Sequence, residues 1–286
     1  MKKLIKYLND AKQNQWSLGH FNFASSEQLQ GIVNAAKELN APVLVGTSEG
    51  EGDFIGMDQA VALVKSWKED GLPVFLTSDH TRSFEKAKEA IDAGYEYILI
   101  DGSKMSMEEN MEMTKKVVEY AKSVNPEILV EGEIGYLKGS SKVQETIEIS
   151  EDDFTKPEEA KSFVDSTGID CVAVVIGNIH GITTKQEMTL DLDLLSKINE
   201  ALSNKFLVLH GASGLENEEV QETIKRGIVN VHYNTEIRVA MQEALKETLE
   251  ENPEETTPYK YMGPKMEAVS EVVKSKINML GSKDKA

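Results

Sequence analysis

Cysteine is almost missing from this chain: Cys171 is the only one in 286 residues, and it sits inside an apolar run. One thiol excludes a disulfide framework and makes a reducing cytoplasm the expected home. Long hydrophobic runs are missing too. No stretch approaches the roughly 20 apolar residues that cross a bilayer, so no membrane partner is expected. The opening MKKLIKYLNDAKQNQ alternates charge with Leu4, Ile5 and Leu8 at helical spacing. It lacks the apolar centre and small-residue cleavage site of a signal peptide. Positive charge is scarce, with 31 Lys and Arg against 49 Asp and Glu, a formal net charge of −18. That balance argues against nucleic acid as a partner, because phosphate contacts need clustered cations. A small anionic ligand would have to be held by local positive features such as a metal or helix N-termini.

What the chain has is one pattern repeated eight times. Apolar, β-rich runs fall at 18–23, 42–48, 74–80, 97–103, 128–135, 171–177, 206–213 and 228–235. Between them lie stretches such as FEKAKEAIDAG and NEEVQETIKRG, with apolar residues at i, i+3 and i+4 and a terminal Gly. Strand–helix alternation implies a parallel sheet covered by helices. Eight units in this length predict an α/β fold, a single (β/α)8 TIM barrel spanning 1–286, with an open doubly wound sheet as the alternative. Residues 136–156 form an over-long connection, a candidate mobile loop. Residues 252–286 form a C-terminal helical extension beyond the eighth unit.

The chain has only five histidines, His20, His80, His180, His210 and His232, and each falls on or just past a predicted strand. In a barrel the C-terminal strand ends share one mouth, where active sites are built. Clustered neutral imidazoles suit Zn²⁺ with three protein ligands and an open position. Carboxylates join the same rim. Asp79 precedes His80, Asp101 closes the fourth strand, and Glu131 and Glu133 share one face of the fifth by period-two geometry. The pair Asp79–His80 ends the run VFLTSDH, where a surface turn and a proton-moving site are both open readings. HGASGL (210–215) and NTEIR (234–238) place small and hydroxyl residues just before helices, the pattern of a phosphate site; Gly211, Ser213 and Thr235 are its candidates.

SDHTRSFE, ILIDGS, VEGEIG, FTKPEEAKSFVDSTGIDCVAVVIGNIHG and LVLHGASGL together resemble the class II, metal-dependent ketose-bisphosphate aldolases over nearly the whole chain. The resemblance implies Zn²⁺ held by His80, His180 and His210, with Asp79 as the proton-transferring acid/base. It implies Asp101 and Glu133 as alternative or second-site metal ligands. Gly181, Gly211, Ser213 and Thr235 would line one phosphate and Ser48 the other, with K⁺ or Na⁺ near the glycine-lined turns. On strand eight, where the family has an asparagine, this chain has His232, followed by Asn234. The family's loop glutamate has no direct counterpart in KGSSKVQET, and Glu145 is the nearest replacement. The basic residue that the family carries near its C-terminus is absent from TPYKYM, where Lys260 is the residue that could reach a phosphate. The expected activity is cleavage of fructose 1,6-bisphosphate to two triose phosphates. Tagatose 1,6-bisphosphate or another phosphorylated ketose is an alternative substrate, and a non-catalytic metal- and sugar-phosphate-binding barrel an alternative role. The resemblance also implies a dimer or tetramer.

Overall fold

A computed structural model describes residues 3–286. Eight parallel strands close into a barrel: β1 (Leu18–Asn22), β2 (Val43–Ser48), β3 (Val74–Thr81), β4 (Tyr97–Ile100), β5 (Leu129–Ile134), β7 (Cys171–Val174), β9 (Phe206–Leu209) and β10 (Ile228–Tyr233). Each pairs with its neighbours in chain order, and β10 pairs with β1 to close the ring. All eight predicted runs are strands. Four of them, β4, β7, β9 and β10, stop two to four residues short of the predicted end, because the chain leaves the sheet to build the mouth.

The strands alternate between two environments. Val43, Val45, Val74, Leu76, Val130, Val172, Leu207 and Val231 belong to the large core between sheet and surrounding helices. Both strand faces are buried, which is why the runs read as continuously apolar. Helix boundaries follow local chemistry. α5 (Phe84–Ala93) starts where Ser83 Oγ accepts the Lys86 amide at 3.2 Å, and ends at Gly94 in left-handed backbone.

The barrel interior changes character along its axis. At the N-terminal end Leu18, Leu44, Phe75, Tyr97, Leu129 and Phe206 form an apolar layer, onto which α1 (Leu4–Asn14) packs Leu4, Tyr7 and Leu8. At the C-terminal end the buried residues turn polar: Asn22, Asp79, Glu131, Glu133, His210 and His232.

The stretch 136–156 is more than a loop. β6 (Gly139–Gln144) runs parallel to β8 (His180–Thr183), a two-stranded sheet over the mouth. Gln144 Nε2 donates to His180 O at 2.9 Å. In the C-terminal extension α11 (Pro258–Leu280) buries Val269, Val273, Ile277 and Leu280 in the large core.

One close approach inside the barrel has a measurable consequence. A Cβ on Gly46 would lie 2.0 Å from His20 Nε2, and the His20 ring is wholly buried. Gly46→Ala is expected to lower stability by about 1–3 kcal/mol through overpacking, measured by denaturant unfolding. Unchanged stability would mean that the ring has room to move.

Candidate active site

Adjacent strand residues point to opposite faces, so Asp79 and His80 should not both reach the barrel mouth. A local irregularity allows it. The pairing of β3 with β4 shifts register between Ser78 and Thr81, and His80 has a left-handed φ of 50°. A bulge of this kind re-aims a side chain, and strained backbone of this kind tends to gather at functional sites. Asp79, in register with Ser48 of β2, stays buried in the mouth, and His80 turns in beside it.

The His80 ring lies between two others, its centroid 4.8 Å from that of His180 and 4.9 Å from that of His210. The three expected metal ligands thus meet, although β3, the segment after β7 and the end of β9 supply them separately. Asn178 locks the last two together: its Nδ2 donates to His210 O at 3.0 Å and to Val174 O at 3.2 Å. His80 Nδ1 is 3.2 Å from both Asp101 Oδ2 and Glu133 Oε2. His210 Nε2 is 2.7 Å from Glu131 Oε1, and Glu131 also accepts a hydrogen bond from Tyr97.

Behind these lies a second layer. His20 Nδ1 is 2.7 Å from His232 Nε2, and His232 Nδ1 is 3.6 Å from Asp79 Oδ1. Asn22 Nδ2 donates to Asp79 Oδ2 at 2.8 Å. All five histidines therefore belong to one cluster, with His20 buried in the interior behind the mouth.

The charges are set by these neighbours. Burial opposes ionisation of Asp79, but His80 and then His232 hold its carboxyl well below the usual range. Burial likewise opposes the His80 imidazolium, yet Asp79, Asp101 and Glu133 hold it well above its ordinary value. His180 falls to about 3 through burial and the nearby charges of His80 and His210. His232 falls to about 3 mainly through burial. Imidazole nitrogens beside carboxylate oxygens are a donor set that fits a divalent cation. The carboxylate oxygen Asp79 Oδ1 is buried without a hydrogen-bond partner, and Asp79, His80 and His210 bring ligand atoms within 4.8 Å of one another.

The cleft above the cluster has a volume of about 270 Å³. Ser48, Gly181, Gly211, Ser213, His232, Asn234 and Thr235 all line it, as expected. Gly211, at φ 64°, admits no side chain, since a Cβ there would lie 1.9 Å from Ile179 O. Thr235 begins α10 (Thr235–Glu251), and its Oγ1 is 3.1 Å from Ser141 Oγ. Glu145 is not among the lining residues. It is exposed and pairs with Lys185 at 2.9 Å, because the paired strands β6 and β8 turn it outward. Lys260 is exposed and pairs with Glu255 at 2.8 Å, also outside the lining. Sequence reasoning missed Asn22, Ser141, Arg82 and Arg238, which line the cleft, and Glu51, which bonds to its rim. Two of the chain's three arginines at one mouth is a signal that residue counting could have found.

His20, His180 and His232 are held neutral here, whereas an unfolded histidine titrates near 6.5. Between those values the unfolded state binds more protons, so the stability these rings contribute is present above about pH 6.5 and lost toward pH 3. His80 acts in the opposite sense: its contribution is complete below 6.5 and lost as pH rises through its raised value. Asp79 and Asp101, both depressed, add a loss only below about pH 4. Three rings outweigh one. The thermal midpoint of the metal-free protein is expected to fall from about pH 7 to about pH 4, and a midpoint that rises over that range would refute the assignment.

The sequence matches the family model for class II fructose-bisphosphate aldolase over residues 2–285. It is 37% identical over 283 residues to a fructose-bisphosphate aldolase from Staphylococcus epidermidis, covering 98% of this chain and 96% of that protein. It is 36% identical over 288 residues to a probable fructose-bisphosphate aldolase from Bacillus subtilis, covering 99% and 98%. Among solved structures, the YdjI aldolase from Escherichia coli K12 superposes with a TM-score of 0.85 at 30% identity, covering both chains in full. The family is metal-dependent, and the mouth has His, Asp and Glu groups that could hold a metal ion. The chain belongs to the class II fructose-bisphosphate aldolase family, and it is an aldolase.

Proposed function

We propose that this protein cleaves a phosphorylated ketose between C3 and C4, with fructose 1,6-bisphosphate as the reference substrate, and that Zn²⁺ is its native metal. The observation that carries this reading is the convergence of Asp79 with His80, His180 and His210 on one mouth. When bound, the divalent ion supplies Lewis-acid stabilisation of the negative charge that builds up next to the breaking bond.

The chain's own residues do the rest. Asp79, ionised and held by Asn22, takes the proton from the C4 hydroxyl. His80 keeps its Nδ1 toward Asp101 and Glu133, leaving Nε2 on the side of Asp79 as the ligating nitrogen. Asp101 and Glu133 then orient a ligand, the usual work of groups next to a ligating histidine. Glu131 does the same for His210. Gly181, Gly211, Ser213 and Thr235 hold the phosphate of the dihydroxyacetone half at the start of α10. Among the described residues no lysine lines the cleft, so a Schiff base has no candidate nucleophile there. The lone buried Cys171 suits a reducing cytoplasm.

Purified protein loaded with Zn²⁺ is expected to release triose phosphates in a coupled assay, and EDTA to abolish the release. Chelator-insensitive turnover would reject the mechanism. Asp79→Ala is expected to lower kcat by about 10²–10⁴-fold with metal content unchanged. His180→Ala is expected to lose most of the metal by elemental analysis, and full occupancy would refute its ligand role.

A further inference from the structure

The two ends of the cleft differ in what they offer a charged group. α3 (Glu49–Ile55) leaves the mouth directly after β2, and Glu51 in its first turn folds back over Ser48. Glu51 Oε2 accepts from the Ser48 amide at 2.8 Å and the Ser48 hydroxyl at 2.9 Å. That much is an ordinary capping box. Two further donors set it apart. Asn22 Nδ2 donates to Glu51 Oε2 at 2.8 Å, and Asn234 Nδ2 to Glu51 Oε1 at 3.2 Å. Asn22, Ser48 and Asn234 all line the cleft, and come from three different parts of the rim.

These are the donors a phosphate at the Ser48 end would use, and one carboxylate already takes them. Among the described residues that line the cleft, the cation on that side is Arg82. Its amide donates to Glu49 Oε1 at 2.9 Å, and its Nε lies 3.8 Å from Asp101 Oδ2. Arg238 is placed differently. It stands in the first turn of α10, with its NH2 donating to the Ser141 carbonyl at 2.5 Å, and no carboxylate among the described residues pairs with it. The cleft therefore has one end with unpaired positive charge, beside Thr235 and Ser213, and one end with a hydrogen-bond-saturated carboxylate.

We infer that the aldehyde half of the substrate is uncharged and hydroxylated, so that the protein prefers a ketose with a single phosphate, on its dihydroxyacetone half. Glu51 is the specificity-determining residue: it repels a second phosphate and ties up the Asn22, Ser48 and Asn234 donors that would hold one. This rests on the aldolase reading and narrows its substrate class. The reaction balances without a co-reactant. The C4 hydroxyl proton passes to Asp79, C4 becomes the aldehyde carbon, and the C3–C4 electron pair stays with C3. Reprotonation there yields dihydroxyacetone phosphate and a neutral aldehyde.

The test compares fructose and tagatose 1-phosphates with their 1,6-bisphosphates on the metal-loaded protein, by kcat/KM and by calorimetric binding. The monophosphate of at least one sugar is expected to be preferred by about tenfold or more, as for like charges brought together in a partly buried site. Glu51→Ala is expected to move that ratio toward the bisphosphate by about tenfold. Glu51→Gln, which keeps the shape and an acceptor, guards against loss of the cap and should move it the same way. A parent enzyme that prefers bisphosphates, or a ratio unmoved by both variants, overturns the inference and leaves the aldolase reading standing. If no sugar turns over, the aldolase reading fails, and binding decides the inference: tighter bisphosphate binding overturns it, and tighter monophosphate binding supports it.

Discussion

Everything in the mouth depends on a bend of the backbone at one residue. In an unbroken strand the Asp79 carboxylate and the His80 ring would face opposite sides of the sheet, one in the cleft and one among the outer helices. The register shift after Ser78 and the left-handed conformation of His80 bring both to the same side. A histidine does not adopt that conformation freely; the surroundings must hold it there. Contacts with the rings of His180 and His210, and with Asp101 and Glu133, do so. The strain and the cluster are one arrangement.

Such a cluster is costly to bury, since ionised groups away from water need partners. The structure meets that need in layers. Asn22 and His232 stand behind Asp79, Asp101 and Glu133 behind His80, and Tyr97 with Glu131 behind His210. Below them the barrel is filled with apolar side chains and backed by α1, which keeps water from entering at the N-terminal end. The unpartnered oxygen of Asp79 marks where the layers stop and a cation or substrate would complete them.

Polarity also runs across the mouth. Backbone turns at Gly181 and Gly211, with Thr235 and Arg238, line one side of the cleft. The other side is organised by Glu51, which ties Asn22, Ser48 and Asn234 to a carboxylate. Asn22 donates to both Glu51 and Asp79, so the two carboxylates share a neighbour.

Much of this was legible before folding. The apolar, β-rich runs and the helical patterns between them point to a closed α/β barrel, because two-sided burial and helical periodicity are local properties of the chain. The placement of His80, His180 and His210 at strand ends follows from the same reading, since every strand end meets at one mouth. Tertiary structure alone decided the rest. Glu51 reads in sequence as a surface acid in a short helix, and only the approach of β1 and β10 makes it an acceptor for Asn22 and Asn234. Arg238 reads as one more helical cation until the 139–144 strand lies against it. Glu145 looked placed for chemistry by its position in the loop, yet the pairing of β6 with β8 turns it to solvent. Periodicity is written within a few residues of chain; which side chains share a space across the barrel depends on contacts between segments far apart in it.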